Sequence, residues 1–495
     1  MTRPFFTLLL FVLSYSLLAQ DEIAPCGTGN IDYRWLDSYL DNPSAYPRSD
    51  DLLYVPLTVH ITGTDEGVGY FPVKSVLDAL CRLNLDFLET NIQFYVKGEF
   101  RYINNTAWHT HDNGEFGLGI QMMLANNVPN TLNSYLTASA AGACGYYAPS
   151  GNGIVMQKAC LSATGHTWAH EVGHFLSLPH PFRGWEIEEA ENYDYSTPAP
   201  LFWGSRQVEK VDGSNCTVAG DRFCDTPPDY LNYRWGCTSS GLSTQLQYDP
   251  DTVAFQSDAS LIMSYSFDAC SSRFSPEQIA AMRANILDAR PGLLSDPPEV
   301  IDDITEVEGN ILTPAEESTT PFSDIVNLSW ETIPNATHYI VQVSALPIFS
   351  GPKEEYVIQD TAFTLTDLDP DRRYWWRIRP YNHFGSFCTE FIDTSSFTTG
   401  LLTNVNQLEE ALQLVVYPNP VASSNFIQVA YLLEEQQEVQ IRLFSASGQL
   451  VYQQQSLNQQ GPQNLEISTA NLPKGIYLLQ LANQRGNVSR KISIQ

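Results

Sequence analysis

The run HEVGHFLSLPH at residues 170 to 180 constrains this chain more than any other feature. The sequence around it has the spacing of an amphipathic helix, in which residues four apart lie on the same face. His170 and His174 can therefore offer two imidazoles to one metal ion. Glu171 would point beside that ion, in the position of a general base. The run thus predicts a helix that carries part of a metal site.

The third histidine of the run lies beyond that helix. His180 is too far along the chain to share a face with the other two, so the chain must turn before it. Pro179 favours a turn, because proline disfavours helix at the residue before it. Three imidazoles leave one coordination position open for water, as in catalytic zinc sites. Zinc lowers the pKa of such a water toward about 7, and Glu171 would accept its proton.

A second motif, LIMSYSFDAC, follows at residues 261 to 270. Met263 and Tyr265 resemble the Met-turn of the metzincin peptidases, where the methionine lies beneath the metal and the tyrosine contacts the metal or the transition state. Within that group the chain resembles the pappalysin family, including its cytophagalysin-like members. The matching segments are LNLDF (83–87), TWAHEVGHFLSL (167–178), DRFCDTPPD (221–229) and IMSYSFDACSSRFSPEQIAAMR (262–283).

The resemblance implies an α/β (α+β) catalytic domain over residues 51 to 292. Its upper half would hold a twisted sheet and the active-site helix, and its lower half would have few regular elements. A protein or peptide substrate would lie antiparallel to the edge strand, for which GIVMQKA is the candidate. Ser177 departs from the family, which has glycine there. A non-glycine residue with positive φ costs about 1 to 2 kcal/mol.

An acidic segment and one further aspartate suggest a calcium site and a substrate-binding residue. DRFCDTPPD clusters hard oxygen ligands suited to calcium, and relatives bind calcium near this segment, so Asp221, Thr226 and Asp225 are candidate ligands. An ordinary acidic turn is the alternative. Asp268 stands where arginine-specific relatives carry an acidic residue in the S1′ pocket, which predicts cleavage before Arg and less well before Lys. A helix-capping or exposed Asp268 is the alternative.

The N-terminus predicts export and latency. Residues 1 to 20 combine Arg3, a short apolar run and a small residue before a polar step, which is typical of a secretory signal peptide. Residues 21 to 50 form a short propeptide-like segment. Cys26 could bind the open zinc position and keep a zymogen latent until cleavage near Arg48. A disulfide between Cys26 and Cys81, or another cysteine, is equally consistent with the sequence.

The cysteine content and the net charge limit the disulfides and the partners that the chain can have. Nine cysteines in an exported chain predict disulfides with at least one cysteine left over, for which Cys26 is the candidate. Cys216, Cys224, Cys237 and Cys270 could join the lower half in three ways. A net charge of −30 without a basic run argues against nucleic acid as a partner. After the signal peptide, no stretch is apolar for long enough to span a membrane in the mature protein.

Two all-β sandwich domains are expected after the catalytic domain. An acidic, proline-containing linker covers residues 293 to 324. Short strands in 325–400, with Trp330 and the YWW cluster, resemble a fibronectin type III module. Residues 401 to 495, with YPNP, SASGQLV and LPKGIYLL, resemble the C-terminal sorting domain of proteins exported by the type IX secretion system. That resemblance implies the type IX machinery as a partner and a secreted or cell-surface location.

These features together indicate a secreted zinc endopeptidase with an accessory β module. The competing hypothesis is a secreted or surface binding or adhesion protein whose catalytic domain is inactive. Glu171 and His180 favour the peptidase, because a domain that had lost activity would commonly have lost one of them.

Overall fold

The computed structural model of the chain describes residues 24–29, 31–112, 114–187, 190–305, 312–349, 353–400, 412–422, 426–446, 448–483 and 486–495. The signal peptide expected at residues 1 to 20 lies outside these ranges. Within them, no helix is both long and apolar enough to cross a membrane.

Six α-helices with described bounds lie in the first domain. They are α1 (Arg34–Asp41), α2 (Val73–Asp86), α3 (Thr106–His109), α4 (Phe116–Asn126), α5 (Thr167–Phe175) and α6 (Pro276–Asp288), with 3-10 turns at Pro43–Ala45, Leu88–Thr90, Lys158–Cys160, Ala190–Asn192 and Pro291–Leu294. Its strands are β1 (Leu53–Gly63), β2 (Ile92–Val96), β3 (Arg101–Asn104), β4 (Thr110–His111), β5 (Leu132–Thr137), β6 (Ser139–Ala140), β7 (Gly145–Ala148), β8 (Gly153–Gln157), β9 (Phe202–Trp203), β10 (Arg206–Gln207), β11 (Gln247–Tyr248) and β12 (Ala254–Phe255).

The central sheet of this domain has the order β2-β1-β5-β8-β7, and β3 pairs with the far end of β1. All pairs are parallel except β7 with β8. Side chains on both faces of β1 are buried, which explains its nearly continuous apolar sequence. The GIVMQ strand, β8, lies inside the sheet, and the antiparallel β7 forms the edge next to it. The edge strand suggested by sequence is therefore wrong by one strand.

Helices α2 and α5 pack together beside the sheet, and α5 lies against β7 and β8. Val76, Leu80 and Leu83 of α2 are buried. After α5 the chain has few regular elements, as the resemblance implied. The disulfides Cys216–Cys224 and Cys237–Cys270 crosslink this lower half, and Cys144–Cys160 joins the segment before β7 to the turn after β8.

The second domain is a β-sandwich. Its strands are β13 (Ser318–Thr319), β14 (Ile325–Ser329), β15 (His338–Ser344), β16 (Lys353–Ile358), β17 (Ala362–Thr366), β18 (Arg373–Tyr381) and β19 (Ile392–Thr398). One sheet has the order β13-β19-β18-β15-β16 and the other pairs β14 with β17. Trp330, Tyr339 and Trp376 are buried between them. Strand β13 comes from the segment interpreted as an acidic linker, so the end of that segment belongs to the sandwich.

The third domain is also built from strands. They are β20 (Val415–Tyr417), β21 (Phe426–Leu433), β22 (Gln437–Ser445), β23 (Leu450–Asn458), β24 (Gly461–Ser468), β25 (Gly475–Asn483) and β26 (Gly486–Ile494). They form sheets of order β20-β21-β24 and β23-β22-β25-β26 around a separate apolar core. Strand β21 was not predicted.

The sandwich is fastened to the first domain. A disulfide joins Cys81 on α2 to Cys388, and its partners are 307 residues apart in the chain. One turn earlier on α2, Asp78 pairs with Arg379 at 2.6 Å, and only 3% of the Arg379 side chain is exposed. The second domain therefore holds a fixed position on the side of the sheet that carries α2.

Candidate active site

Helix α5 places the first two histidines. His170 and His174 are buried on its face, and each ring is oriented by a backbone carbonyl. His170 Nδ1 donates to Ile262 O and His174 Nδ1 donates to Leu178 O, both at 2.8 Å. With Nδ1 protonated, the Nε2 atoms carry lone pairs. Burial lowers the pKa of His170 to about 4, so its ring is neutral near pH 7 and its Nε2 lone pair can bind a metal.

The chain turns after α5 and returns His180 to the same point. Its Nε2 lies 3.1 Å from Nε2 of His170 and 3.0 Å from Nε2 of His174, which are 3.1 Å apart. Nitrogens bonded at about 2.0 Å to one tetrahedral zinc ion would be about 3.3 Å apart. Three neutral imidazoles with converging lone pairs repel one another unless a cation lies between them. The residues present therefore fit a zinc ion.

Ser177 allows this return. Its φ of 76° lies in the left-handed region, as expected at a position where the family has glycine. Asn285 donates from Nδ2 to Ser177 Oγ at 2.8 Å, and this hydrogen bond opposes the conformational cost of about 1 to 2 kcal/mol. The serine therefore does not prevent His180 from reaching the other histidines.

Met263 lies beneath the helix. It is fully buried, and a Cβ added at Gly173 would lie 2.3 Å from its sulfur. Gly173 thus lets the methionine approach the α5 backbone between the two histidines of that helix. Met263 therefore packs directly against the helix that carries His170 and His174.

Glu171 is fully buried beside the histidines. Its Oε1 has no hydrogen-bond partner among the described residues, and its Oε2 accepts from Thr28 Oγ1 at 2.8 Å. Burial raises the pKa of Glu171 to about 7, while the Thr28 hydrogen bond acts in the opposite direction. A carboxyl group with that pKa can both accept and release a proton near neutral pH.

Cys26 is the cysteine outside the described disulfides, and it is buried. Its Sγ and the Nε2 atoms of the three histidines all lie within 4.8 Å of one another. The alternative pairing with Cys81 is excluded in this structure, because Cys81 is bonded to Cys388. The sequence therefore found both the odd cysteine and the group of residues it faces.

The segment around Cys26 extends the central sheet at its β7 edge. Cys144 N donates to Ala24 O, and Gly27 N donates to Gly145 O, both at 2.8 Å. Ala24 pairs with Ala143 in the parallel sense. A Cβ on Gly27 would lie 2.9 Å from that of Ala143, so the close approach requires glycine. The N-terminal segment thus occupies the sheet edge beside the histidines.

Thr28 is a site residue that the sequence analysis missed. Besides donating to Glu171, its Oγ1 accepts from Tyr147 N at 2.8 Å. The side chain therefore bridges the edge strand and the buried carboxylate. Its only sequence signal was its position two residues after Cys26.

Tyr265 closes another side of the site. It is buried, and its ring centroid lies 4.9 Å from that of His180 and 5.9 Å from that of His170. Burial raises its pKa well above the ordinary value, and the nearby Cys26 acts in the same direction. Its phenol is therefore a neutral proton donor facing the region between the histidines and the N-terminal segment.

Asp268 borders a small cavity next to His170 and Tyr265, and Pro25 of the N-terminal segment forms part of its wall. Its carboxylate is partly exposed and lies 3.4 Å from the Arg234 guanidinium. The structure thus places Asp268 near the histidines, with a basic side chain of the protein already at its side.

The acidic segment divides into two parts. Asp221 and Thr226 are buried together, with Thr226 Oγ1 donating to Asp221 Oδ1 at 2.9 Å. Asp225 is engaged at the start of α6, where it accepts from Ser275 Oγ and Glu277 N, both at 2.7 Å. The sequence missed Glu209, whose pKa is raised to about 10 by burial and by the negative charge of Asp221.

Comparisons with known proteins give one family match and several similar curated proteins. Residues 415–495 match the family model for the secretion system C-terminal sorting domain. The chain is 28% identical over 248 residues to an extracellular metalloprotease of Colletotrichum graminicola, an alignment covering 46% of this chain and 74% of that protein. An extracellular metalloprotease of Verticillium alfalfae is 26% identical over 255 residues, with 48% and 78% covered. The protein is therefore secreted or displayed at the cell surface.

Similar solved structures include the FN1–FN3 domains of chicken CNTN1, at 15% identity, covering 37% of this chain and 69% of that chain with a TM-score of 0.15. An immunoglobulin-like β-sandwich protein from Bacteroides vulgatus is 17% identical and covers 17% of this chain and 88% of that chain, also with a TM-score of 0.15.

Proposed function

We propose that the protein is a secreted, zinc-dependent metalloendopeptidase of the metzincin type, similar to the pappalysins. One observation carries the proposal: the Nε2 atoms of His170, His174 and His180 converge within 3.1 Å of one another next to the buried carboxyl group of Glu171. The extracellular metalloproteases to which the chain is similar support the same conclusion.

Each site residue has a role in peptide hydrolysis. A zinc ion held by the three histidines would supply Lewis acidity toward a carbonyl and a water of lowered pKa. Glu171 takes a proton from the attacking water and passes it to the leaving amine, which its raised pKa permits. Tyr265 donates a hydrogen bond to the oxygen that gains charge. Strand β7 binds the substrate backbone as an added antiparallel strand.

We assign Asp268 to substrate selection. In an active enzyme its carboxylate would pair with Arg, and less well with Lys, on the primed side of the scissile bond. Arg234 lies 3.4 Å away and would compete for the same carboxylate. Selectivity between substrates therefore depends on how far Arg234 withdraws when a basic side chain enters.

The N-terminal segment would keep the enzyme latent in two ways. Cys26 would take the coordination position that the reaction needs for water. Thr28 would hold Glu171 through a direct hydrogen bond. Arg48 is exposed in the loop before β1, so a peptidase could cut there. A Cys26→Ser chain should hydrolyse peptides before any processing, and equal inactivity of both unprocessed forms would contradict the switch.

We propose a calcium site in the lower half, built on Asp221, Thr226 and the newly identified Glu209. A Cβ on Gly220 would lie 2.2 Å from Glu209 Oε2, which places this carboxylate directly against the Asp221 segment. Burial raises the pKa values of both Asp221 and Glu209, and a hard cation between these carboxyl groups would favour their ionised forms. Asp225 is left out, because both its oxygens already bind α6.

The third domain would address the protein to the type IX secretion machinery, in line with its match to secretion sorting domains. The machinery would read the folded tail after the signal peptide had directed the chain out of the cytoplasm. Removal of the tail would then leave the first two domains as the working enzyme.

Cleavage-site mapping on a denatured protein mixture tests the proposal. We expect the processed, zinc-loaded protein to cut before Arg, and a chelator to abolish the cuts. Glu171→Ala should lower kcat about 100- to 10,000-fold while zinc stays bound. Glu89→Ala, at an exposed carboxylate with no role in the proposed site, is the matched control. If folded, zinc-loaded protein without its N-terminal segment makes no cuts, the protein is instead a binding or adhesion protein.

A further inference from the structure

A second cluster of metal-ligand side chains lies between the first domain and the sandwich. Glu99 follows β2, His338 begins β15 and His383 follows β18, so the cluster forms only when the two domains pack together. One ligand atom from each residue lies within 4.8 Å of the others. His338 Nε2 is 3.3 Å from Glu99 Oε1, and His383 Nε2 is 4.0 Å from Glu99 Oε2.

Each histidine has an orienting hydrogen bond on one side of its ring, and the two rings are stacked with centroids 4.3 Å apart, so one ring must turn for both Nε2 atoms to bind one ion. His383 is hydrogen-bonded to the backbone of Gly98, and its Nε2 is buried without a hydrogen-bond partner among the described residues. His338 Nδ1 lies 2.8 Å from Thr337 Oγ1, which leaves Nε2 toward Glu99. A ligating histidine ordinarily uses one nitrogen for the metal and the other for such an orienting bond.

The side-chain amide of Gln359 donates hydrogen bonds into this cluster. Gln359 Nε2 lies 3.0 Å from His338 Nε2 and 3.2 Å from Glu99 Oε1, so its N–H groups donate to both. An amide satisfies these two groups but does not satisfy the buried Nε2 of His383. A cation at the same point would satisfy all three.

We propose that Glu99, His338 and His383 bind a divalent transition-metal ion, Zn²⁺ in the first instance, across the interface between the two domains. Two imidazoles and one carboxylate are a ligand set that zinc accepts and that calcium does not favour. Ligand atoms of a tetrahedral zinc ion are about 3.3 Å apart, as His338 Nε2 and Glu99 Oε1 are, and the 4.0 Å from His383 Nε2 to Glu99 Oε2 would shorten on binding. Glu99 is partly exposed, so the ion can enter from solvent and keep a water as its fourth ligand.

The bound ion would act as a clamp. The same interface contains the Cys81–Cys388 disulfide and the Asp78–Arg379 ion pair, and Val96 N donates to His383 O at 2.7 Å. A ligand set drawn from both domains binds the ion only while they stay docked. Zinc would therefore stabilise the docked arrangement without contacting the catalytic histidines.

Zinc content of the metal-stripped, reloaded full-length chain tests the clamp. We compare the wild type with Glu99→Gln, His174→Gln and the double variant, by elemental analysis after dialysis. The wild type should retain two zinc ions per chain, each single variant one, and the double variant none. Glu89→Gln, another exposed carboxylate, should retain two. Glu99→Gln is nearly isosteric, and circular dichroism checks its fold; His383→Ala gives a second removal.

The outcomes separate the two sites. If Glu99→Gln and His383→Ala both retain as much zinc as the wild type, the cluster is only a hydrogen-bonded set with Gln359, and the clamp is wrong. If a chain with both His170→Gln and His174→Gln retains as much zinc as the wild type, the proposed active site is wrong instead, because only Cys26 and His180 would remain there. A Tm that rises with zinc in His174→Gln, but not in the double variant, would support stabilisation of the interface.

Discussion

At the scale of single residues, the site depends on atoms that the chain brings unusually close. Glycine at position 173 leaves room for the Met263 sulfur, and glycine at position 27 lets the N-terminal segment reach the sheet edge. Thr28 connects that segment to Glu171 through one hydroxyl. Small changes at these residues should have effects out of proportion to the atoms they add or remove.

Gly173→Ala should destabilise the protein and loosen the zinc site. The added methyl would meet the buried Met263 sulfur at 2.3 Å, and such overpacking costs about 1 to 3 kcal/mol, against a helix-propensity gain of about 1 kcal/mol. Gly117→Ala in α4 is the matched control, because its Cβ would meet nothing within 4 Å. Urea unfolding should rank Gly173→Ala below Gly117→Ala, and the reverse ranking would contradict the packing argument.

Thr28→Val should weaken latency while leaving Cys26 in place. Valine keeps the shape but removes the hydrogen bond to Glu171, and a bond to a charged group contributes about 1.5 to 3 kcal/mol. The unprocessed chain should therefore hydrolyse a peptide about tenfold faster or more, as measured with a quenched fluorescent substrate. Thr164→Val, at an exposed threonine, should leave the rate unchanged. Equal rates for the two variants would show that Thr28 does not hold Glu171.

At the scale of elements, α6 shows how the lower half is attached. Ser275 Oγ accepts from Gln278 N at 3.2 Å, and Gln278 Oε1 accepts from Ser275 N at 3.0 Å, so the helix begins with a capping box. Asp225 binds the same terminus from a distant loop. The position of that loop is therefore coupled to the start of α6.

Asp225→Ala should lower the free energy of unfolding by about 1 to 2 kcal/mol, because a helix terminus loses a capping partner. The gain in Tm on adding calcium should be unaffected. Asp221→Asn should show the opposite pattern, with a reduced calcium response. Thermal unfolding with and without calcium measures both. A calcium response lost in Asp225→Ala would return Asp225 to the ligand set.

The sequence predicted elements and sites to the extent that their determinants are local. His170, Glu171 and His174 share one helical turn, so their meeting follows from the 3.6-residue period. Cys26 was identified because the number of cysteines is odd and because it follows the signal peptide. Its contact with the histidines became visible only in the folded structure. Glu99, His338 and His383 come from three loops and strands in two domains, and no spacing relates them. The edge strand was misplaced because periodicity does not reveal neighbour order.

At the scale of the whole molecule, the interface between the first two domains contains a disulfide and a buried ion pair. Arg379 is almost fully buried, and its two terminal nitrogens donate to Asp78 and, at 2.7 Å, to Phe387 O. Removing one partner of a buried ion pair leaves an uncompensated charge. The interface should therefore be sensitive to neutralisation of Asp78.

Asp78→Asn should lower the free energy of unfolding by about 3 kcal/mol. Asp369→Asn is the control, because the Asp369–Arg372 pair lies within the sandwich and both side chains are at least half exposed. Tryptophan fluorescence in urea measures both variants with the disulfides intact. Similar stabilities for the two variants would show that the domains dock mainly through apolar contacts and the disulfide.

The Cys81–Cys388 disulfide also sets an order of biosynthesis. Its partners are 307 residues apart, so α2 waits with a reduced thiol until nearly the whole sandwich has been made. A recombinant fragment that ends after the first domain would leave this thiol without its mate. Such a fragment would be prone to intermolecular crosslinking through Cys81. The oxidising folding catalysts of the export route would need the longer chain to form all the disulfides.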